Sequence, residues 1–99
     1  MKNTITEKLA TFGKRLGAAA DKAIQAGLTE MSADVDKKAR HATASIVSAT
    51  IMIPILECAE ELGQTNGVEE VCRRIEAAIS EFEVAVDKQI KGAPLVAAN

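Results

Sequence analysis

Apolar residues recur at intervals of three and four along the middle of the chain, the spacing that places one side chain per helical turn on a common face. The series extends from Ile24 to Leu56, and charged residues flank it only as far as Arg40. Its members are Ile24, Leu28, Met31, Val35, Ala39, Ala42, Ile46, Ala49, Ile53 and Leu56. We therefore expect long helices that pack against other helices over many turns.

The same spacing predicts an N-terminal helix over residues 1–27. Thr4 or Thr6 can cap its beginning, and Gly27 can close its end in the left-handed conformation. The apolar series nevertheless crosses Gly27 in register. Two separate helices and a single helix bent at this glycine both remain open. The apolar positions of this helix are Ile5, Leu9, Phe12, Leu16, Ala20, Ala23 and Ile24.

A long middle helix is predicted over residues 29–62, with Thr29 or Ser32 as its N-cap. The stretch from Ala42 to Leu56 carries no formal charge. A helix that is apolar on every face is normally surrounded by protein, so we expect this stretch to be buried. Pro54 lacks the amide that would continue the helical hydrogen bonds, which predicts a kink close to it.

A third helix is predicted over residues 66–91, after a turn rich in glycine and polar residues. Asn66 and Glu69 have the spacing of a capping box. A glycine and a proline should end the helix, which leaves residues 92–99 as a tail. Its apolar positions are Val68, Val71, Cys72, Ile75, Ala78, Ile79, Phe82, Val86 and Ile90. Glu69 and Glu70 should pair with Arg73 and Arg74 on the outer side.

These elements predict an all-α single domain over residues 1–99, built as a long antiparallel helical hairpin with an N-terminal helical arm and coiled-coil-like packing. Alanine supplies much of the apolar content, and Phe12 and Phe82 are the only aromatic residues. So small a core favours a homo-oligomer. We expect the hairpin to be held by Ile46, Ala49, Ile53, Leu56, Val71, Ile75, Ile79 and Phe82. We expect a neighbouring copy to be faced by Leu9, Phe12, Leu16 and Leu28.

The charge balance of 12 Lys and Arg against 14 Asp and Glu gives a net charge of −2, which disfavours binding to nucleic acid. Met1 to Lys22 contains no continuous apolar region of the kind found in secretory signals. The uncharged stretch is shorter than the roughly 20 residues that span a bilayer. The prediction is a cytoplasmic protein, or one incorporated into a particle that assembles inside the cell.

Cys58 and Cys72 lie five residues before Gly63 and five residues after Gly67, at equal heights above the turn. If the flanking helices pair antiparallel, the two thiols form either a disulfide or a buried pair, and both readings stay open. His41 is the only histidine, too few ligands for a zinc site. A carboxylate-rich region should be a solvated face rather than a metal site, and comprises Glu57, Glu60, Glu61, Glu69 and Glu70.

No spaced set of nucleophile, base or metal ligands is present, so we expect no catalytic residue, no metal, no cofactor and no enzymatic activity. The predicted function is a non-catalytic structural subunit that self-associates through helical packing, of the virion, filament or secretion type. An alternative is a small protein that inhibits or adapts a partner protein, or that captures an anionic ligand at a subunit interface. The basic residues for such contacts are Lys14, Arg15, Lys37, Lys38 and Arg40. A peripheral membrane helix is a third, less favoured reading.

Overall fold

The computed structural model describes residues 3–28 and 32–98, which form four α-helices and no strand. These are α1 (Asn3–Gln25), α2 (Ala33–Ile51), α3 (Ile53–Glu61) and α4 (Thr65–Ala98). The all-α prediction is confirmed. The described part of the chain is a rod of 58 × 17 × 17 Å.

α4 is the central element, because α1, α2 and α3 each pack more extensively against it than against one another. Arg15 of α1 pairs with Glu83 of α4, and Lys22 of α1 pairs with Asp87 further along α4. The later residue of α1 pairs with the later residue of α4, so the two helices are parallel. Among the residues whose burial is described, the core is entirely apolar and consists of Ile5, Leu9, Phe12, Ala19, Ala23, Val35, Ala42, Ala49, Leu56, Val68, Cys72, Ile75, Ala78, Ile79, Phe82, Ala85 and Val86.

α1 and α2 are separate helices rather than one bent helix. Gly27 has a φ of 85°, and the Leu28 amide donates to the Ala23 carbonyl at 2.9 Å, which closes the end of α1. The Ser32 hydroxyl caps α2 by accepting from the Val35 amide at 3.4 Å. Thr29 and Met31 lie outside the described residues.

The prediction that Thr4 or Thr6 caps the beginning of α1 is wrong. The helix already includes Asn3, so both threonines lie within its first turn or two, and Thr4 and Thr6 cannot be the residue that precedes it. The Thr6 hydroxyl instead donates across the bundle to Glu57 of α3 at 3.4 Å.

The predicted middle helix, 29–62, is interrupted at Met52, where α2 and α3 meet at an angle of 61°. Pro54 lies in the first turn of α3, where its missing amide is tolerated because the first amides of a helix lack partners within that helix. The Met52 amide still bonds to the carbonyls of Ser48 and Ala49. The bend therefore lies within two residues of the proline.

α4 departs from the prediction at both ends. It begins at Thr65, so Asn66 lies inside its first turn and is not the cap. It continues past Gly92 and Pro94 to Ala98, where the sequence predicts a tail. Proline's fixed φ is compatible with helical backbone, so the helix can continue although one hydrogen bond is lost.

Two predictions about burial are wrong for the single chain. Leu9 and Phe12 are buried in the chain's own core, so they cannot face a neighbouring copy, whereas Leu16 and Leu28 are partly buried against that core. The uncharged stretch is largely exposed on one side. In a bundle of so few helices, α2 buries only a narrow ridge, made of Val35, Ala42 and Ala49 at seven-residue intervals.

Candidate interaction surface

A row of exposed residues follows the side of α2 and α3 that faces away from the core. We call it the outer stripe, and it comprises Arg40, Ala44, Val47, Ile51, Ile55, Cys58 and Leu62. Within α2 and within α3, successive members are three or four residues apart, which is the spacing of residues on one face of a helix, and the two helices are bent by 61° between Ile51 and Ile55. Apart from Arg40 at one end, the outer stripe is apolar, so α2 and α3 expose apolar side chains opposite those they bury in the core.

The outer stripe holds several of the largest exposed apolar side chains of the described residues. Ile51 is 76% exposed, Leu62 68%, Ile55 65% and Val47 52%. Single exposed hydrophobic residues are ordinary on protein surfaces, but a contiguous row is typical of interaction sites. Its neighbours between Ala42 and Leu56 are uncharged, so docking another apolar surface here would not bury an unpaired charge.

Two shallow grooves border the outer stripe. One, of about 380 Å³, lies on α3 and is lined by Pro54, Ile55, Cys58, Ala59, Leu62 and Gln64. The other, of about 340 Å³, lies between α2 and α4 and is lined by His41, Ala44, Ser45, Ser48, Ala49, Met52, Val71, Arg74 and Ile75. Both are open and mainly apolar, which suits side chains of another protein better than a small polar ligand.

Arg15 belongs to an internal ionic cluster rather than to a free basic site. Its guanidinium donates to Glu83 at 2.7 Å and to Ser80 at 3.4 Å, and lies 3.8 Å from Glu76. The hydrogen bond to Glu83 raises the pKa of Arg15. A groove of about 320 Å³ beside this cluster is lined by Arg15, Ala18, Ala19, Lys22, Glu83, Val86 and Asp87. Carboxylates already neutralise its basic residues, which disfavours the predicted capture of an anion by Arg15.

The other predicted basic residues are only partly paired. Arg40 lies 3.0 Å from Asp36, and Lys38 lies 3.9 Å from Asp34, both within α2. Lys14 and Lys37 are exposed. Arg15 and the α2 cations thus belong to different ionic networks, so the structure does not gather the five predicted residues around one anion.

The carboxylates of α3 and α4 have separate surroundings. Glu70 accepts from both Arg73, at 2.6 Å, and Arg74, at 3.0 Å. The predicted pairing of Glu69 with Arg73 is therefore replaced by a Glu70–Arg73 pair, because residues three apart are also neighbours on a helix. The Oε1 atom of Glu60 is buried without a hydrogen-bond partner. Within residues 3–28 and 32–98, no three His, Cys, Asp or Glu residues are grouped suitably for a metal ion.

Cys58 and Cys72 are both free thiols, Cys58 exposed and Cys72 buried. The sequence left open a disulfide or a buried pair of thiols, and the structure shows neither. α3 exposes Cys58, whereas α4 buries Cys72. Burial raises the pKa of Cys72, with smaller opposing and reinforcing contributions from Lys8, Glu60 and Glu76. Cys58 lies in the outer stripe.

The outer stripe was not predicted from the sequence, because the apolar series from Ile24 to Leu56 is the more prominent pattern in the same segment. The signal was present in the spacing of Val47, Ile51 and Ile55, which are offset from the buried positions Ala42, Ala49 and Leu56. An uncharged helix admits several apolar faces, and only the position of its neighbours decides which one the chain covers.

None of the described helices is by itself long and apolar enough to cross a membrane. α2 and α3 satisfy the length and composition criteria only when taken together, across their 61° bend.

Comparison with known proteins supplies no relative. No protein-family model matches the chain, and no curated protein or solved structure is significantly similar to it.

Proposed function

We propose that this protein is a non-catalytic assembly subunit that self-associates through helical packing. The outer stripe is the observation that carries the proposal. It leaves four large aliphatic side chains exposed in a row, on a segment whose residues from Ala42 to Leu56 lack charge. Burying these side chains at an interface lowers the free energy of the associated state by about 25 cal/mol per Å² of apolar surface removed from water.

The arrangement of the helices supports this role. α3 leads through a short turn closed by Gly63, with a φ of 79°, into α4, and α2, α3 and α4 pack together. We propose that they form an antiparallel hairpin with coiled-coil-like packing, with α1 as its covering arm. A rod of this kind presents a long, narrow side to its neighbours, as small subunits of assembled particles do.

The chemistry of the described side chains gives enzymatic activity little support. Arg15 is held by the carboxylates of α4, and His41 is exposed in a mainly apolar groove. The two free thiols support a reducing compartment, in which the protein would work inside the cell.

The molar mass in solution tests the proposal. We expect light scattering after size exclusion, at two protein concentrations, to give a multiple of the chain mass of 10.4 kDa. The multiple should be the same with and without reductant, because the proposed contacts are apolar rather than covalent. A mass of one chain at the higher concentration would contradict self-association and would direct the search to a different partner.

A further inference from the structure

Asn66 and Gly67 are neighbours on an exposed part of the chain, in the first turn of α4. The helix begins at Thr65, so the Asn66 side chain does not serve as its cap. Within the described part of the chain, the Asn66 carboxamide makes no hydrogen bond. The pair therefore combines an unrestrained side-chain amide with a following residue that has no side chain.

The backbone amide of Gly67 is also without a helical partner. An amide within a helix donates to the carbonyl four residues earlier, which for Gly67 belongs to Gly63, outside α4. The backbone hydrogen bonds of this turn join other pairs, Gly63 to Glu60 and Gln64 to Ala59. No helical hydrogen bond of the Gly67 amide has to break before this nitrogen reacts.

These two groups are the reactants of an intramolecular cyclisation. The deprotonated Gly67 nitrogen attacks Cγ of Asn66, the new N–C bond closes a succinimide ring, and the Cγ–Nδ2 bond breaks to release ammonia. Water then opens the ring at either carbonyl, which gives aspartate or isoaspartate without any oxidation or reduction. The attack requires ψ of Asn66 to leave its helical value. That change frays only the first turn of α4, and the ends of helices open at little cost.

We propose that Asn66–Gly67 is a self-modification site, at which the folded protein converts asparagine to aspartate and isoaspartate without an enzyme. The aspartate product adds a negative charge at the N-terminus of α4, where the helix dipole favours it. The isoaspartate product carries the same charge but adds a methylene group to the backbone, which disrupts the first turn. The site thus produces two altered forms of the α3–α4 turn, and its chemistry does not depend on self-association.

Incubation of the native protein at physiological temperature, followed by peptide mass spectrometry that distinguishes the two products, tests the proposal. We expect both products to accumulate at Asn66. Asn3 should react about tenfold less, because the β-branched Thr4 that follows it crowds the attacking nitrogen. The rate at Asn66 in the native protein should lie within about tenfold of the rate in urea, because opening the first turn of a helix costs little.

Gly67→Ala is the matched control. Gly67 does not have a positive φ, and a Cβ added there would meet no atom within 4 Å, so the variant should fold like the wild type. Its helix content by circular dichroism should be unchanged, since alanine favours helix more than glycine does. We expect the reaction at Asn66 to slow about tenfold, because the added methyl group crowds the attacking nitrogen. An unchanged rate in Gly67→Ala, or a native rate more than about tenfold below the rate in urea, would overturn the proposal.

Discussion

The two cysteines differ in environment, and their reactivity should differ accordingly. Cys58 is exposed, whereas Cys72 is buried and its pKa is raised by that burial. Because the thiolate is the reactive form, both access and protonation slow the reaction of Cys72. At a concentration where the chain is monomeric, we expect an aromatic disulfide reagent to modify Cys58 rapidly in the native protein and Cys72 only in denaturant. If Cys72 in native Cys58→Ser reacts as rapidly as Cys58 in native Cys72→Ser, the placement of Cys72 in the core is wrong.

Asp87 provides a pH-dependent contact between α1 and α4. The hydrogen bond from Lys22, at 2.6 Å, lowers the pKa of Asp87 below its usual 3.8. A carboxyl group with a lowered pKa stabilises the fold above that usual value, and the contribution disappears as the pH falls through the folded-state pKa. We expect the carboxyl titration followed by NMR to give a pKa below 3.8 in the wild type and a higher one in Lys22→Met. Identical values in the two proteins would exclude the contact in solution.

At the scale of elements, the two faces of the bundle should respond differently to the same truncation. Ile75 of α4 is 2% exposed, and Ile55 of α3 is 65% exposed. Ile75→Ala leaves a cavity and should lower the free energy of unfolding by about 2–5 kcal/mol, whereas Ile55→Ala should change that of the monomer by less than about 0.5 kcal/mol. Urea unfolding, at a concentration where the chain is monomeric, measures both. Equal losses would mean that Ile55 belongs to the core.

The sequence predicted the inward-facing residues of the helices better than their ends. Ile75, Ile79 and Phe82 are buried as expected, because a 3.6-residue period leaves few choices for the covered face. The beginning of α4 and its continuation past Pro94 were missed, since local capping signals compete with packing. The outer stripe was missed because apolar spacing alone does not reveal how many neighbours a helix has.

For the whole molecule, a narrow rod explains both the buried core and the uncovered surface. Its 17 Å width leaves room for few helices in cross-section, so the residues of α2 opposite the core stay exposed in the described chain. Small domains commonly make up such a deficit by associating. In the proposed function, the α2–α3 segment is the place where a second copy would cover apolar residues that one chain leaves exposed.

We propose that association is driven by the outer stripe rather than by exposed apolar residues of α4. Sedimentation velocity of Ile51→Glu beside Val84→Glu tests it directly, because Val84 is also large, apolar and 51% exposed but lies on α4. Both changes introduce one negative charge, and circular dichroism should show equal helix content. We predict that Ile51→Glu sediments as a monomer while Val84→Glu sediments like the wild-type oligomer. If Ile51→Glu stays associated, or if both variants lose association equally, the outer stripe is not the surface that drives association.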